Sequence, residues 1–235
     1  MTATEARPVS TSSVPPAGAD LYRDIHKGIR AELFDITLTA GRIDPANAAA
    51  KSALSSHVQT VVELLVSHAA HEDAAVQPEI EIHLPDVAAT IVSDHARLEA
   101  RMEDLCVLAK ESVEAAPAGQ VDVAQFLYLE LASFTSEYLA HQNVEEQVVM
   151  PGLERAIGRE ALAVIHGQIV ASIPPAQAAS SLAIMLPAMN VDNRVELLTG
   201  MRAGAPAEVF AGVWGLTGSV LTPADYEQLA VRLGM

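Results

Sequence analysis

HQNVEEQVVMP, residues 141–151, ends an apolar stretch with a histidine, a glutamate four places on, a second acid and a proline. HAAHEDAAVQP, residues 68–78, has the same order 73 residues earlier, so both read H-x-x-x-E-[DE]-x-x-x-x-P. Residues four apart on a helix share a face and lie about 6 Å from each other, so His68 with Glu72, and His141 with Glu145, aim at one point. Apolar stripes lead into each pair: Leu54, Val58, Val61 and Leu65 into the first, Leu127, Leu131, Phe134 and Tyr138 into the second. The imidazoles and carboxylates therefore lie on the faces that the helices bury.

Working outward, each motif is preceded by a segment with a lone histidine, Asp24-Ile25-His26 and Ser93-Asp94-His95. The spacing predicts a first helix from Asp20, carrying Tyr22, His26, Ile29, Leu33 and Ile36 and closed by Gly41. Asp44 and Pro45 supply an N-cap and first residue for a second helix, which runs to about Gln77 before Pro78. A third, after Pro85, shows Ile91, His95, Leu98, Met102 and Leu105 until AAPAG at 115–119; a fourth starts near Asp122 and stops at Pro151. Four long helices with short links pack as an up-down-up-down bundle, here one hairpin used twice.

Beyond Gly158 the pattern shortens, with breaks at Pro174-Pro175, Pro187, Gly204-Ala205-Pro206 and Thr222-Pro223. The expectation is an all-α chain in three parts. These are a disordered polar lead-in at 1–19, a bundle over 20–157, and a C-terminal extension of three to five small helices over 158–235.

Composition agrees. Half of the 235 residues are hydrophobic but only 4% aromatic, so aliphatic side chains fill the core, as in packed helices. The net charge of −16 would repel a phosphate backbone or an anionic membrane, so neither nucleic acid nor membrane is an expected partner. A single cysteine, Cys106, rules out an intrachain disulfide and a thiolate metal cluster. With no basic-then-apolar leader and no apolar run of eighteen residues, the expected location is the cytoplasm.

If all four stripes face inward, His26, His68, Glu72, His95, His141 and Glu145 converge. Uncompensated charged groups would each cost several kcal/mol there, a penalty that metal ions remove by accepting the lone pairs. Six such donors exceed one tetrahedral site and suit two metals with carboxylate bridges; nitrogen and oxygen donors without sulfur favour iron, and manganese or zinc accepts the same set.

This ordered set resembles the hemerythrin-like, or HHE cation-binding, family over roughly residues 20–157, and EEQVVMP is typical of its ending. The resemblance implies a non-haem di-iron centre, with an oxo or hydroxo bridge, in a four-helix bundle. Glu72 and Glu145 would bridge the irons, His26 and His68 would hold the iron with an open position, and His95 and His141 the other. It implies a small ligand (hydrogen peroxide, O2 or nitric oxide) and an unidentified reductant, or an iron or oxygen sensor that reports through the extension. Oxygen-carrying members have a further histidine one turn after the third-helix histidine, where this chain has Glu99. As a ligand Glu99 would favour ferric iron and oppose reversible O2 carriage; otherwise it pairs with Arg30 or Arg97.

Tyr22, one turn before His26, either places its hydroxyl near the open metal or completes the end of the core. Asp73 and Glu146, beside the bridging acids, either support the ligands or lie on a solvated face. His57 is expected as a hydrogen-bonded core residue, His71 against a neighbouring helix or solvent, and His83 and His166 without a role. Met185, Met189, Met201 and Trp214 read as flexible core filler of an extension that packs on the bundle or makes a homodimer contact. Over the open end of the site, the extension would control access.

Overall fold

The computed structural model describes residues 20–235, and the lead-in at 1–19 lies outside them. Ten α-helices are formed by the described residues: α1 (Arg23–Arg42), α2 (Ala48–Ala75), α3 (Gln77–His83), α4 (Pro85–Glu114), α5 (Gln120–Val144), α6 (Met150–Ser172), α7 (Pro175–Ala188), α8 (Val191–Gly204), α9 (Ala207–Val220) and α10 (Pro223–Leu233). The long helices α1, α2, α4 and α5 form the bundle as a ring, α1 against α2 and α5, and α4 against the same two. No single helix among the described residues is long and apolar enough to cross a membrane.

Local chemistry moves several expected boundaries. Helix α1 runs one residue past Gly41. Asn47 rather than Asp44 caps α2, its Oδ1 accepting from the Ala50 amide at 3.0 Å, while Asp44 accepts from Ala46 in the preceding turn. Pro78 does not follow α2 directly; it lies in the first turn of α3, where its missing N–H costs nothing.

The largest correction concerns Pro151, which does not stop the fourth helix. One π-helical turn, Glu145–Val149, joins α5 to α6, with the Met150 amide donating to the Glu145 carbonyl five residues back. Pro151 then falls in a first turn, where no N–H is needed. The break comes at Gly158, whose φ of +79° suits glycine and strains other residues.

Two apolar layers enclose the level of the histidines. One contains Ile29, Leu33, Val58, Leu65, Leu98, Leu131 and Phe134. The other contains Tyr22, Val76, Ile80, Ile91, Val149, Leu153 and Leu162. The extension has its own core around Leu186, Leu198, Phe210, Val213 and Leu229. Its helices α7 to α10 begin at 175, 191, 207 and 223, a constant spacing of 16. Pro174, Asn190, Pro206 and Thr222 stand immediately before them.

The extension docks on the bundle through α7 against α1. Gly28 sets the approach: a Cβ there would lie 3.1 Å from Ile184 Cγ1 and 3.2 Å from the Met185 backbone nitrogen. Lys27 bonds Asn193, and Arg23 reaches Glu196 at 3.2 Å, which ties α8 to the same face.

Candidate metal centre

Each hairpin brings three donors to one level of the bundle. His26 comes from α1, His68 and Glu72 from α2, His95 from α4, His141 from α5 and Glu145 from the π turn. The four Nε2 atoms point at the two carboxylates: His68 to Glu72 at 3.1 Å, His141 to Glu145 at 3.2 Å, and His26 to Glu145 at 3.4 Å. His95 lies 3.6 Å from Glu72 and 3.8 Å from Glu145. Two groups result in which donor atoms lie within 4.8 Å of one another, Glu72, His95, His141 and Glu145, and His26, His68 and Glu72; Glu72 belongs to both.

The outward nitrogens explain the second acid of each motif. His26 donates from Nδ1 to Glu146 at 2.9 Å, and His95 donates from Nδ1 to Asp73 at 2.7 Å. Glu146 belongs to the second hairpin and supports the lone histidine of the first; Asp73 belongs to the first and supports that of the second. Arg30 also donates to Glu146, at 2.8 Å. A carboxylate on Nδ1 fixes the tautomer and turns the Nε2 lone pair inward, as a metal-binding histidine requires.

Residues 17–153, more than half of the chain, match the hemerythrin HHE cation binding domain. The chain belongs to this hemerythrin family. No curated protein and no solved structure matches it.

The hemerythrin donor set fits a metal. Both oxygens of Glu72, Oε2 of Glu145 and Nε2 of His95 are buried without a hydrogen-bond partner among the described residues. Buried polar atoms of native proteins are rarely left so, and here all four face one point. Replacing the supporting acids tests this directly. Glu146→Ala and Asp73→Ala are each expected to weaken metal binding about 10–100-fold, measured by chelator competition. Wild-type affinity in both variants would show that Nδ1 support is irrelevant.

Without metal the two central carboxylates, Glu72 and Glu145, titrate in opposite directions. Burial and the neighbouring Glu145 charge raise Glu72 well above the carboxylate range. Burial opposes ionisation of Glu145 too, but His141, His95 and His26 outweigh it and hold Glu145 far below that range. Burial lowers His68 to about 4 and keeps it neutral. Burial also opposes protonation of His95, yet Glu145, Glu72 and Asp73 together raise it to about 9. Loading at pH 7 must displace the proton that His95 holds, so at least about one is expected to leave per chain. Calorimetry in buffers of different protonation enthalpy reads that number, and buffer-independent heats would contradict it. The raised pKa of His95 stabilises the metal-free fold below its unfolded value near 6.5, and that stability is lost as pH rises through 9. The lowered pKa of His68 acts oppositely, its contribution present above about 6.5 and lost as pH falls through 4.

Two cavities flank this hemerythrin centre. One, of about 130 Å³, lies between bundle and extension and is lined by Tyr22, His68, Glu72, His71 and His166 with apolar side chains of α6 and α7. The other, of about 110 Å³, borders His95, His141 and Tyr138, with Asp73 and Glu99 on its wall. Tyr22 is 1% exposed with its ring 5.1 Å from that of His26, so it is both core aromatic and cavity wall. Burial, Glu145 and Glu72 raise its pKa well above the usual value, which keeps a protonated phenol there.

Glu99 is not brought to the centre; it is exposed and outside both donor groups. Taken from the buried Ile91, His95 stands about 40° round the helix and Glu99 about 80°, whereas Leu98 and Met102 stay within about 20° and form the inward stripe of α4. Neither expected arginine partner meets Glu99: Arg97 bonds Asp94 and Glu137, and Arg30 bonds Glu146. His57 is half-buried rather than core and binds Glu32 at 2.6 Å. His83 ends α3 on the surface. His71 and His166 line the cavity beside His68, which the sequence reading missed; for His166 nothing in the local pattern indicates it, because the fold of the extension alone puts it there.

Proposed function

We propose that this chain holds two iron ions and binds and redox-processes a small ligand such as hydrogen peroxide, O2 or nitric oxide. The observation that carries the reading is a set of buried, unpartnered imidazole and carboxylate donors next to a cavity that opens on His68 and Glu72. In this reading His26 and His68 would hold one ion and His95 and His141 the other, with Glu72 and Glu145 as the carboxylate donors. When bound, the two irons supply a pair of one-electron redox centres. The protein does the rest. Apolar layers above and below limit water, Glu146 and Asp73 hold the imidazoles in register, and the neutral phenol of Tyr22 presents a proton at the cavity wall.

A second reading is a sensor without turnover. It is favoured by the cavity wall, which α6 and α7 of the extension supply, so an occupant touches the segment that would report it. One experiment separates the two: metal analysis and visible spectra of the loaded protein, followed by peroxide addition. About two irons per chain with repeated peroxide decay is the expected result. A stoichiometric spectral change without turnover selects the sensor, and fewer than about one bound metal per chain overturns both.

A further inference from the structure

The cavity beside His68 and Glu72 is too large and too apolar for a diatomic or peroxide ligand alone. Its volume is about 130 Å³, whereas a water molecule occupies roughly 30 Å³ in the liquid and an apolar protein cavity of about 150 Å³ holds benzene. Leu21, Ile25, Ile169, Val170, Ile173 and Met185 lie on its wall, whose exposed surface is mainly apolar. The bundle supplies the metal-side groups Tyr22, His68 and Glu72, and α6 and α7 supply much of the remaining wall. Such a wall holds water poorly but matches the general form of a small-molecule site, an apolar pocket with a few convergent polar groups.

An entrance is also visible in the arrangement. Leu64, Ser67, Gln177 and Ser181 line both this cavity and a larger surface groove next to it. The hydrogen bond from Gln177 to Ser67 therefore stands where the two meet. His71, on the cavity side, commits Nδ1 to the Ser67 carbonyl at 2.6 Å, which leaves its Nε2 as the acceptor.

We infer that this cavity binds a small organic molecule with an apolar body of about benzene size and one polar end, the polar end meeting His68 and Glu72 and the body resting on α6 and α7. The inference rests on the proposed redox site in one respect: it extends the ligands of that site from hydrogen peroxide and diatomic gases to compounds that carry an organic group. The extension thereby becomes the part of the chain that selects the ligand.

Benzene and phenol are suitable probes, titrated into metal-free and metal-loaded protein while the methyl resonances of Met185 and Ile169 are followed. Saturable shifts at both methyls are expected, with phenol at least about 3-fold tighter than benzene. Met185→Trp, which fills the cavity, is expected to weaken both probes at least about 10-fold. Ile173→Ala, which enlarges it, is expected to admit naphthalene, which the parent excludes. Circular dichroism verifies that each variant is folded, and should Met185→Trp fail to fold, Ile173→Ala decides. No saturable shift in the parent chain, or unchanged probe selectivity in the folded variants, overturns the inference. Because probe binding needs neither metal nor turnover, protein inert to peroxide that still binds benzene refutes the redox reading alone. Protein that decomposes peroxide without binding either probe refutes only the organic ligand.

Discussion

Loading the centre with metal is expected to raise the melting temperature of this protein by roughly 8–16 °C for each ion bound. Free metal at a thousand times its Kd stabilises a folded chain by about 4.1 kcal/mol per site, and a chain of this size gains about 2–4 °C per kcal/mol. The donors make the gain large because the metal-free state starts with a defect: buried oxygens of Glu72 and Glu145 have no hydrogen-bond partner among the described residues. Glu72→Gln is expected to narrow the gap from both sides. Removing a carboxyl group that must be buried beside Glu145 relieves about 1–3 kcal/mol in the metal-free state, raising its melting temperature by roughly 2–10 °C. The same change removes the donor shared by both groups, so most of the metal-dependent gain disappears. Scanning calorimetry with and without metal reads both effects. A Glu72→Gln variant less stable than its parent without metal would show that the carboxyl group is structurally satisfied.

Gly28→Leu is the second change expected to have a large effect. The missing side chain at residue 28 is replaced in space by α7, and the nearest atoms to an added Cβ include the Met185 nitrogen and the Ile184 carbonyl carbon, at 3.2 and 3.3 Å. Backbone atoms in a helix cannot swing aside as the end of a side chain can, so a leucine must push α7 away from α1. Overpacking of this kind costs about 1–3 kcal/mol, and a cost near 2 kcal/mol increases the detached population about 30-fold. Limited proteolysis between α6 and α7 is expected to accelerate by that factor. Metal content should stay unchanged, since every donor lies in α1, α2, α4, α5 or the π turn. Equal cleavage rates in variant and parent would mean that the extension is held by its other contacts, such as Arg23 with Glu196.

The centre was legible in the sequence because its chemistry is periodic. His68 and Glu72, and His141 and Glu145, keep helical spacing on stripes that are apolar elsewhere, and only a bundle brings four such stripes together. The supporting roles of Asp73 and Glu146 were visible only as a repeated acid, since their partners lie on the other hairpin and local spacing does not encode that crossing. Pro151 misled because proline normally closes a helix; one extra residue in the turn ahead of it restores an acceptable geometry, and propensity alone does not foretell it. Glu99 shows the limit of reading by one turn. Eight residues after the buried Ile91 the drift has reached about 80°, and on α4 that rotation is enough to reach solvent. The 16-residue spacing of the extension was open to inspection in Pro174, Asn190, Pro206 and Thr222, but their differing residue types conceal it. Where the extension docks was not, because the contact depends on an absence, the side chain that Gly28 lacks.

The crossed hydrogen bonds from His26 to Glu146 and from His95 to Asp73 leave the centre without a smaller working half. A chain severed at Leu84, between α3 and α4, would give two fragments, each keeping its own His-Glu pair while its lone imidazole loses its supporting carboxylate. Neither fragment alone should retain metal, and mixing them should restore metal binding in a single step.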